Sequence, residues 1–287
     1  MRFSPLDLAA PWEYGRFLRI LKAVSTFEMS HDLLGTVRRA LRVLDFLAER
    51  GPATPRAIAA AVEANLSTVY HVLNTLAADG YAARDEATGA YTLGRKAARL
   101  SDAYVRALPV TPDLRAILYR LAEATSESAY LALLHDRAVV IAEIVESKQH
   151  VRVASLYPGY AENLQARALG KAVLAHCDPA FVREHFRASP PLRITPATLT
   201  EPGAIEAELT RARARGFAED VEEFAPGVCC IAAPFFSGDG AIFGALSVAI
   251  PSFRFRAARS AARAAVVSAA AAATTALTGN VRRYNRG

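Results

Sequence analysis

The sequence predicts an α+β chain of two domains, and three observations predict it. Of its 287 residues, 52% are hydrophobic and 22% charged. That is enough apolar side chain to pack cores, and the length suits two of them. The first third places amphipathic helices in close succession and ends in a hairpin pattern. After the breaker Pro109-Val110-Thr111-Pro112, helices interleave with strands.

Several classes are set aside by the same reading. The longest apolar candidate, Ala264 to Leu277, is mostly alanine and shorter than the roughly 18 apolar residues of a membrane span, so no membrane partner is expected. The N-terminus lacks the charged-then-apolar pattern of a signal peptide. Three cysteines, Cys177, Cys229 and Cys230, have no framework spacing for disulfides and no zinc spacing. A soluble cytoplasmic protein without metal or cofactor is the expectation.

The net charge is +6, but its distribution identifies no basic domain. Residues 31–107 carry 10 basic and 8 acidic groups, residues 108–250 carry 13 and 17, and residues 251–287 carry 7 and none. The excess lies in the tail, where solubility explains it as readily as DNA contact. Local pattern must decide.

Residues 1–30 form an N-terminal extension in which Phe17, Ile20, Leu21 and Val24 suggest an amphipathic helix for packing. Residues 31–94 form the next domain. Val37, Ala40, Leu41, Leu44, Leu47 and Ala48 line a helix that stops at Gly51-Pro52. Thr54 is placed as an N-cap with Pro55 at the first helical position, opening a short helix through Val62. After a break at Glu63-Ala64-Asn65, a third helix runs from about Leu66 to Asp79. Its apolar stripe is Val69, Val72, Leu73 and Leu76; its polar side carries Ser67, Thr68, Tyr70, His71, Asn74 and Thr75. Two short strands around Asp85-Glu86-Ala87-Thr88-Gly89 complete a winged helix-turn-helix.

This order of elements has a chemical meaning. A helix about 10–12 Å across fits the major groove of B-DNA, about 12 Å wide, and the short second helix holds the third one outward. Ser67, Thr68, Tyr70, His71 and Asn74 then face base edges. Thr54, Arg56 and Arg84 are candidates for phosphate and wing contacts. A lone polar helix face is usually only solvated; the helix, capped helix, break, helix and hairpin together favour double-stranded DNA as the partner.

Residues 95–110 form a linker helix with Ala97, Leu100, Tyr104 and Val105 on its apolar side. Residues 111–278 form the second domain. A helix is expected around Leu114 to Leu121, then strands at Ala129 to Leu134, Ala138 to Val145 and Val151 to Leu156. Helices follow near Leu169 to His176, Pro179 to Arg187 and Pro202 to Arg215. A hairpin joins Cys230 to Phe236 with Ala241 to Ile250, and an alanine-rich helix runs from Arg256 to Thr278. Residues 279–287 make a basic tail. Asp220, Glu222 and Glu223 read by default as a solvated acidic loop.

The run VRRALRVLDFLAERGPATPRAIAAAVEANLSTVYHVLNTLAADGYAARDEATGAYTLGRKAARL resembles the DNA-binding domain of the IclR family of bacterial transcriptional regulators. ENLQARALGKAVLA resembles a segment of the family's second domain, as do RARGFAEDVEEFAPGVCCIAAPFF and GALSVAIP. The resemblance spans about residues 33–277. It implies a GAF-like mixed α/β effector domain, a homodimer or dimer of dimers on a palindromic operator, and a small-molecule effector of the organic or aromatic acid class. By position, the effector pocket is implied at Ala168, Leu169, Asp220, Val228, Cys230 and Ser247. This chain departs from the pattern at His71, where many members have Arg, and at Asn163, Gln165 and Ala249 in place of Pro, His and Ser.

For an anionic effector, backbone N–H groups near Ala168 and Leu169 suit the charge better than Asp220, which suits a hydroxyl or a protonated acid. Two other readings stand beside this one. Cys229 or Cys230 as nucleophile, with His176 or His185 as base and Asp220 as orienter, would make an enzyme, but no catalytic motif accompanies them. A ligand-binding protein that uses its winged helix only to dimerise is the other.

Overall fold

A computed structural model describes residues 34–149 and 156–284 of the chain, and it divides into two units at Ala98/Arg99. The first unit holds α1 (Gly35–Arg50), α2 (Pro55–Ala61), α3 (Leu66–Ala78), β1 (Ala82–Arg84) and β2 (Tyr91–Leu93). The boundary falls inside α4 (Arg95–Ala107), the expected linker helix. The suggested helix near residues 17–24 and most of the suggested strand at 151–156 lie outside the described residues; Leu156 itself is in a loop.

Caps set the first unit's helices. The Thr54 hydroxyl accepts from the Ala57 N–H at 3.4 Å, and the Asn65 carboxamide accepts from the Thr68 N–H at 2.7 Å. Each satisfies a backbone donor that has no partner within its helix. The sequence reading placed the first cap and treated Asn65 only as part of a break. Val43, Leu47, Ile58, Val69 and Leu73 are buried together with Ala82 and Tyr91, so three helices and the wing share one core. Ala53 pairs with Tyr91, tying the α1–α2 connection to the hairpin.

The second unit contains α5 (Pro112–Thr125), β3 (Ser128–His135), β4 (Ala138–Val145) and a single 3-10 turn at Leu164–Ala166. It continues with α6 (Ala168–Leu174), α7 (Pro179–Ala188), α8 (Pro202–Arg215), β5 (Ala218–Val221), β6 (Val228–Phe236), β7 (Ile242–Pro251) and α9 (Ser252–Tyr284). Five antiparallel strands are ordered β4-β3-β7-β6-β5. Strand alternation splits their side chains between two cores. Cys229, Ile231, Ala233 and Phe235 face α5 and α9; Ala232 faces α6 and α8, with Cys230 packed against that same core. The result is a helix–sheet–helix sandwich, and the two adjacent cysteines point to opposite faces.

Two expectations are corrected. Asp220 is not in a solvated loop: it sits on β5, 1% exposed, because β5 pairs with β6 along Asp220–Cys230. The basic tail does not begin at 279, because α9 continues through Tyr284. That helix is long and apolar enough over Ser252–Gly279 to cross a membrane by length and composition. Its apolar side is instead buried on the sheet through Phe255, Ala262, Val266, Ala270 and Ala273. Arg254 and Arg259 clamp it to the sheet's flank by paired hydrogen bonds to Glu127 and Glu219.

Gly170 shows how tightly α6 packs against the turn before it. A Cβ there would lie 2.6 Å from Leu164 Cα and 2.8 Å from Leu164 C, both backbone atoms of the preceding turn. Gly170→Ala is therefore expected to destabilise the second unit by about 1–3 kcal/mol through overpacking. Denaturant unfolding checks this, and an unchanged midpoint would contradict the close approach.

Candidate functional site

In the first unit, every predicted DNA-contact side chain lies at or near the surface. Ser67, Tyr70, His71 and Asn74 are exposed on α3, as are Thr54, Arg56 and Arg84 on the elements around it; Thr68 is half-buried. Thr54 has its hydroxyl engaged as a cap, so its contribution to an interface is the ordered start of α2. The Thr75 hydroxyl is likewise turned back to His71 O at 2.9 Å. The exposed residues Ser67, Tyr70, His71 and Asn74 fall at i, i+3, i+4 and i+7 and form one stripe.

In the second unit, a cavity opens on the α6 side of the sheet. It encloses about 380 Å³ of empty space, part of it open to solvent. Only about 20 Å³ of it admits the centre of a water-sized sphere, room for about one water, so a ligand of several heavy atoms needs the wall to open. All six residues implied for the effector, Ala168, Leu169, Asp220, Val228, Cys230 and Ser247, line it. The sheet's register brings several of them together. Asp220 pairs with Cys230 across β5–β6, Cys230 with Ala249 across β6–β7, and Ser247 with Tyr130 across β7–β3.

The sequence reading missed Arg167. It stands just before α6, is 2% exposed, and lines the cavity. Among the described residues, none of its three guanidinium nitrogens has a hydrogen-bond partner. Its one aromatic contact is the Tyr160 ring, 4.9 Å from the guanidinium carbon, and Tyr160 meets Phe224 edge-on at 5.9 Å. Burial lowers Arg167 to about 10, which leaves it cationic at neutral pH. A buried cation without a counter-charge costs several kcal/mol. In the sequence, an arginine beside a helix start looks like any surface arginine; only the 3-10 turn packed before it puts it inside.

Asp220 faces the opposite problem. Burial raises its carboxyl to about 7, outweighing the hydrogen bonds donated to Oδ1 by Glu223 N at 2.7 Å and Phe224 N at 3.3 Å, and the nearby charge of Lys171. Lys171, itself 1% exposed, binds Glu223 Oε1 at 2.6 Å, and Glu223 Oε2 is buried without a partner. The hydroxyls of Thr195 and Thr198 donate to the carbonyls of Glu222 and Glu223 at 2.7 and 2.6 Å. The segment after β5 is thus strapped down by Asp220, Lys171 and two threonines, and it carries Phe224 into the cavity wall.

The nucleophile reading finds little chemistry here. Burial raises the Cys230 thiol well above its ordinary value, and the nearby Asp220 adds to this, so the reactive thiolate is disfavoured. Cys229 faces the other core. Neither His176 nor His185 lines the cavity; His176 packs edge-on against Phe236 instead.

The comparisons with known proteins agree with this geometry. Residues 36–86 match the IclR helix-turn-helix domain, and residues 102–276 match the bacterial transcriptional regulator IclR C-terminal domain. This chain belongs to the IclR family. It is 40% identical over 224 residues to the HTH-type transcriptional regulator BhcR of Paracoccus denitrificans, covering 78% of this chain and 80% of that one. The crystal structure of a putative IclR transcriptional regulator from Silicibacter sp. TM1040 superposes with TM-score 0.68 at 29% identity, over 85% of this chain and 96% of that one. An IclR homologue from Microbacterium hydrocarbonoxydans, solved with 4-hydroxybenzoate, shares the fold with TM-score 0.62 at 24% identity, covering 85% of this chain and all of that one. This IclR-family chain is accordingly a DNA-binding transcriptional regulator with a ligand-binding C-terminal domain.

Asp220 supplies a test of the cavity's electrostatics. Its carboxyl holds a proton up to about pH 7 when folded and releases it near 3.8 otherwise. Between those values the folded chain binds more protons, so the stability Asp220 contributes is full below about pH 4 and lost as pH rises through 7. Asp220→Asn keeps an acceptor for Glu223 N and removes the titration. The variant's melting temperature is expected to rise relative to wild type between pH 5 and pH 8; parallel curves would show that Asp220 is ordinary.

Proposed function

We propose that the effector of this regulator is a small carboxylic acid, bound as its anion in the cavity, which controls the hold of the winged helix on DNA. The observation that carries this is Arg167: a buried guanidinium lining the cavity, whose three nitrogens have no hydrogen-bond partner among the described residues. A carboxylate is the planar two-oxygen acceptor whose geometry matches that fork. Asp220, holding its proton near neutrality, and the Ser247 hydroxyl offer uncharged polar partners for the rest of the ligand. The backbone N–H groups beside Ala168 and Leu169, favoured for the anion on sequence grounds, become neighbours of the stronger site.

The regulator acts as a homodimer, or a dimer of dimers, on a palindromic operator. Leu34, Val37 and Leu41 are 71%, 53% and 56% exposed along one side of α1, an apolar row that a second copy would cover. Two recognition helices on one face of DNA then require half-sites about 34–36 Å apart or a multiple of that. The ligand's effect passes along α4 and changes operator affinity by about 1–3 kcal/mol. The cytoplasm, where the chromosome lies, is its place of action.

The test is a panel of small carboxylates against wild type, Arg167→Ala and Arg167→Lys. A ligand at about 100 times its dissociation constant should stabilise wild type by about 2.7 kcal/mol. Arg167→Ala should weaken that ligand by about 2–5 kcal/mol while keeping operator binding without ligand. Arg167→Lys should recover part of the affinity. Equal ligand affinity in wild type and Arg167→Ala, measured by calorimetry, would remove the anion site.

A further inference from the structure

The DNA-reading surface has an unusual division of charge. From Leu66 to Ala78, α3 contains no Lys, Arg, Asp or Glu. Its exposed stripe is Ser67, Tyr70, His71 and Asn74, a hydroxyl, a phenol, an imidazole and a carboxamide. Nothing within the stripe turns these groups inward: the described hydrogen bonds of α3 use Asn65 as the cap and Thr75 as a back-bond to His71 O, leaving the Asn74 amide exposed. The cations nearest in sequence are Arg56 on α2 and Arg84 on β1, both exposed and on other elements. The wing's tip is acidic. Asp85 is locked into the turn by the N–H groups of Ala87 and Thr88, and Glu86 beside it is exposed.

Base-edge chemistry gives this pattern a direction. The commonest specific contact to guanine is the two-pronged one from Arg or Lys to O6 and N7, and α3 has neither side chain to make it. Asn makes the corresponding two-pronged contact to adenine N6 and N7. An aromatic ring or a Thr methyl touches the thymine methyl, which leaves Tyr70 and the half-buried Thr68 with thymine. Seven residues of helix span about 10 Å, close to three base-pair steps at about 3.4 Å each. An acidic wing tip is repelled by phosphate, so the hairpin brings Arg84 to the backbone and leaves its tip outside the groove.

We infer that this regulator reads A·T pairs at the centre of each half-site through the uncharged stripe Ser67–Tyr70–His71–Asn74, while Arg56 and Arg84 supply sequence-independent phosphate contacts. The assignment rests on the DNA-binding reading of the first unit. It separates two properties that a guanine-reading arginine would combine. Asn74 carries discrimination, with adenine as its partner. Arg56 and Arg84 carry affinity and its dependence on salt.

Selection of binding sites from a random double-stranded pool by the full-length chain tests it, followed by titration of the winning site and its single-pair variants at several salt concentrations. The most strongly specified positions should be A·T pairs. Asn74→Ala should lower discrimination at one of them by roughly 5- to 150-fold, the range of one good two-pronged contact, with the salt slope unchanged. Arg56→Ala should weaken all sequences alike and reduce the salt slope by about 1. His71→Arg should acquire guanine preference at one position. Half-sites specified chiefly by G·C pairs, or base preference that disappears with Arg56→Ala or Arg84→Ala, would overturn the assignment while leaving DNA binding intact. Enrichment of no sequence together with no binding to any duplex would instead sink the DNA-binding reading itself.

Discussion

A guanidinium held inside a protein without a hydrogen-bonded counter-charge among the described residues is the constraint around which the second unit is arranged. Arg167 is kept in place by the turn at Leu164–Ala166, whose backbone lies so close to α6 that only glycine fits at 170. Its partial compensation is the face of Tyr160, worth on the order of 0.5–2 kcal/mol, against a desolvation cost of several. On the proposed function, an anionic effector would relieve that deficit. Unoccupied binding sites store free energy in this way: the groups that would satisfy one another are held apart, and the ligand completes them.

The same logic explains why Asp220 does not simply neutralise Arg167. Its Oδ1 is already engaged by two backbone N–H groups of the segment after β5, and no ion pair forms between the two side chains. Those two N–H groups belong to Glu223 and Phe224, one bound to Lys171 and the other part of the cavity wall. A ligand that takes up hydrogen bonding from Asp220 therefore acts on a strap fixed at four points, by Asp220, Lys171, Thr195 and Thr198. Chemistry in the cavity and the position of this segment are mechanically joined, which is what a sensor domain requires.

Much of the architecture was legible because it is encoded locally. The Thr54-Pro55 cap, the stripe of Val69, Val72, Leu73 and Leu76, and the bounds of β4 and α8 all follow from patterns a few residues long. What escaped was set by distant pairing. Asp220 stands among three acids within four positions, and only the register with Cys230 shows that it is inside. Arg167 is locally an arginine at a helix start; its burial comes from the turn before it and the ring of Tyr160 beside it. The end of the last helix escaped too: the alanine-rich pattern stops near Thr278, whereas α9 continues through Tyr284.

The two units solve the problem of charge in opposite ways, and the contrast is functional. DNA presents a uniform field of phosphate, so a cation on the reading helix adds sequence-independent attraction alongside any guanine contact it makes. An uncharged α3 avoids that, leaving attraction to arginines on its flanks. The effector cavity meets a single small molecule, where one enclosed cation in a low-dielectric wall discriminates strongly between an anion and a neutral analogue. Arginine at the rim of one site and at the heart of the other is therefore the same physical preference, applied to a ligand that is abundant and repetitive and to one that is scarce and compact.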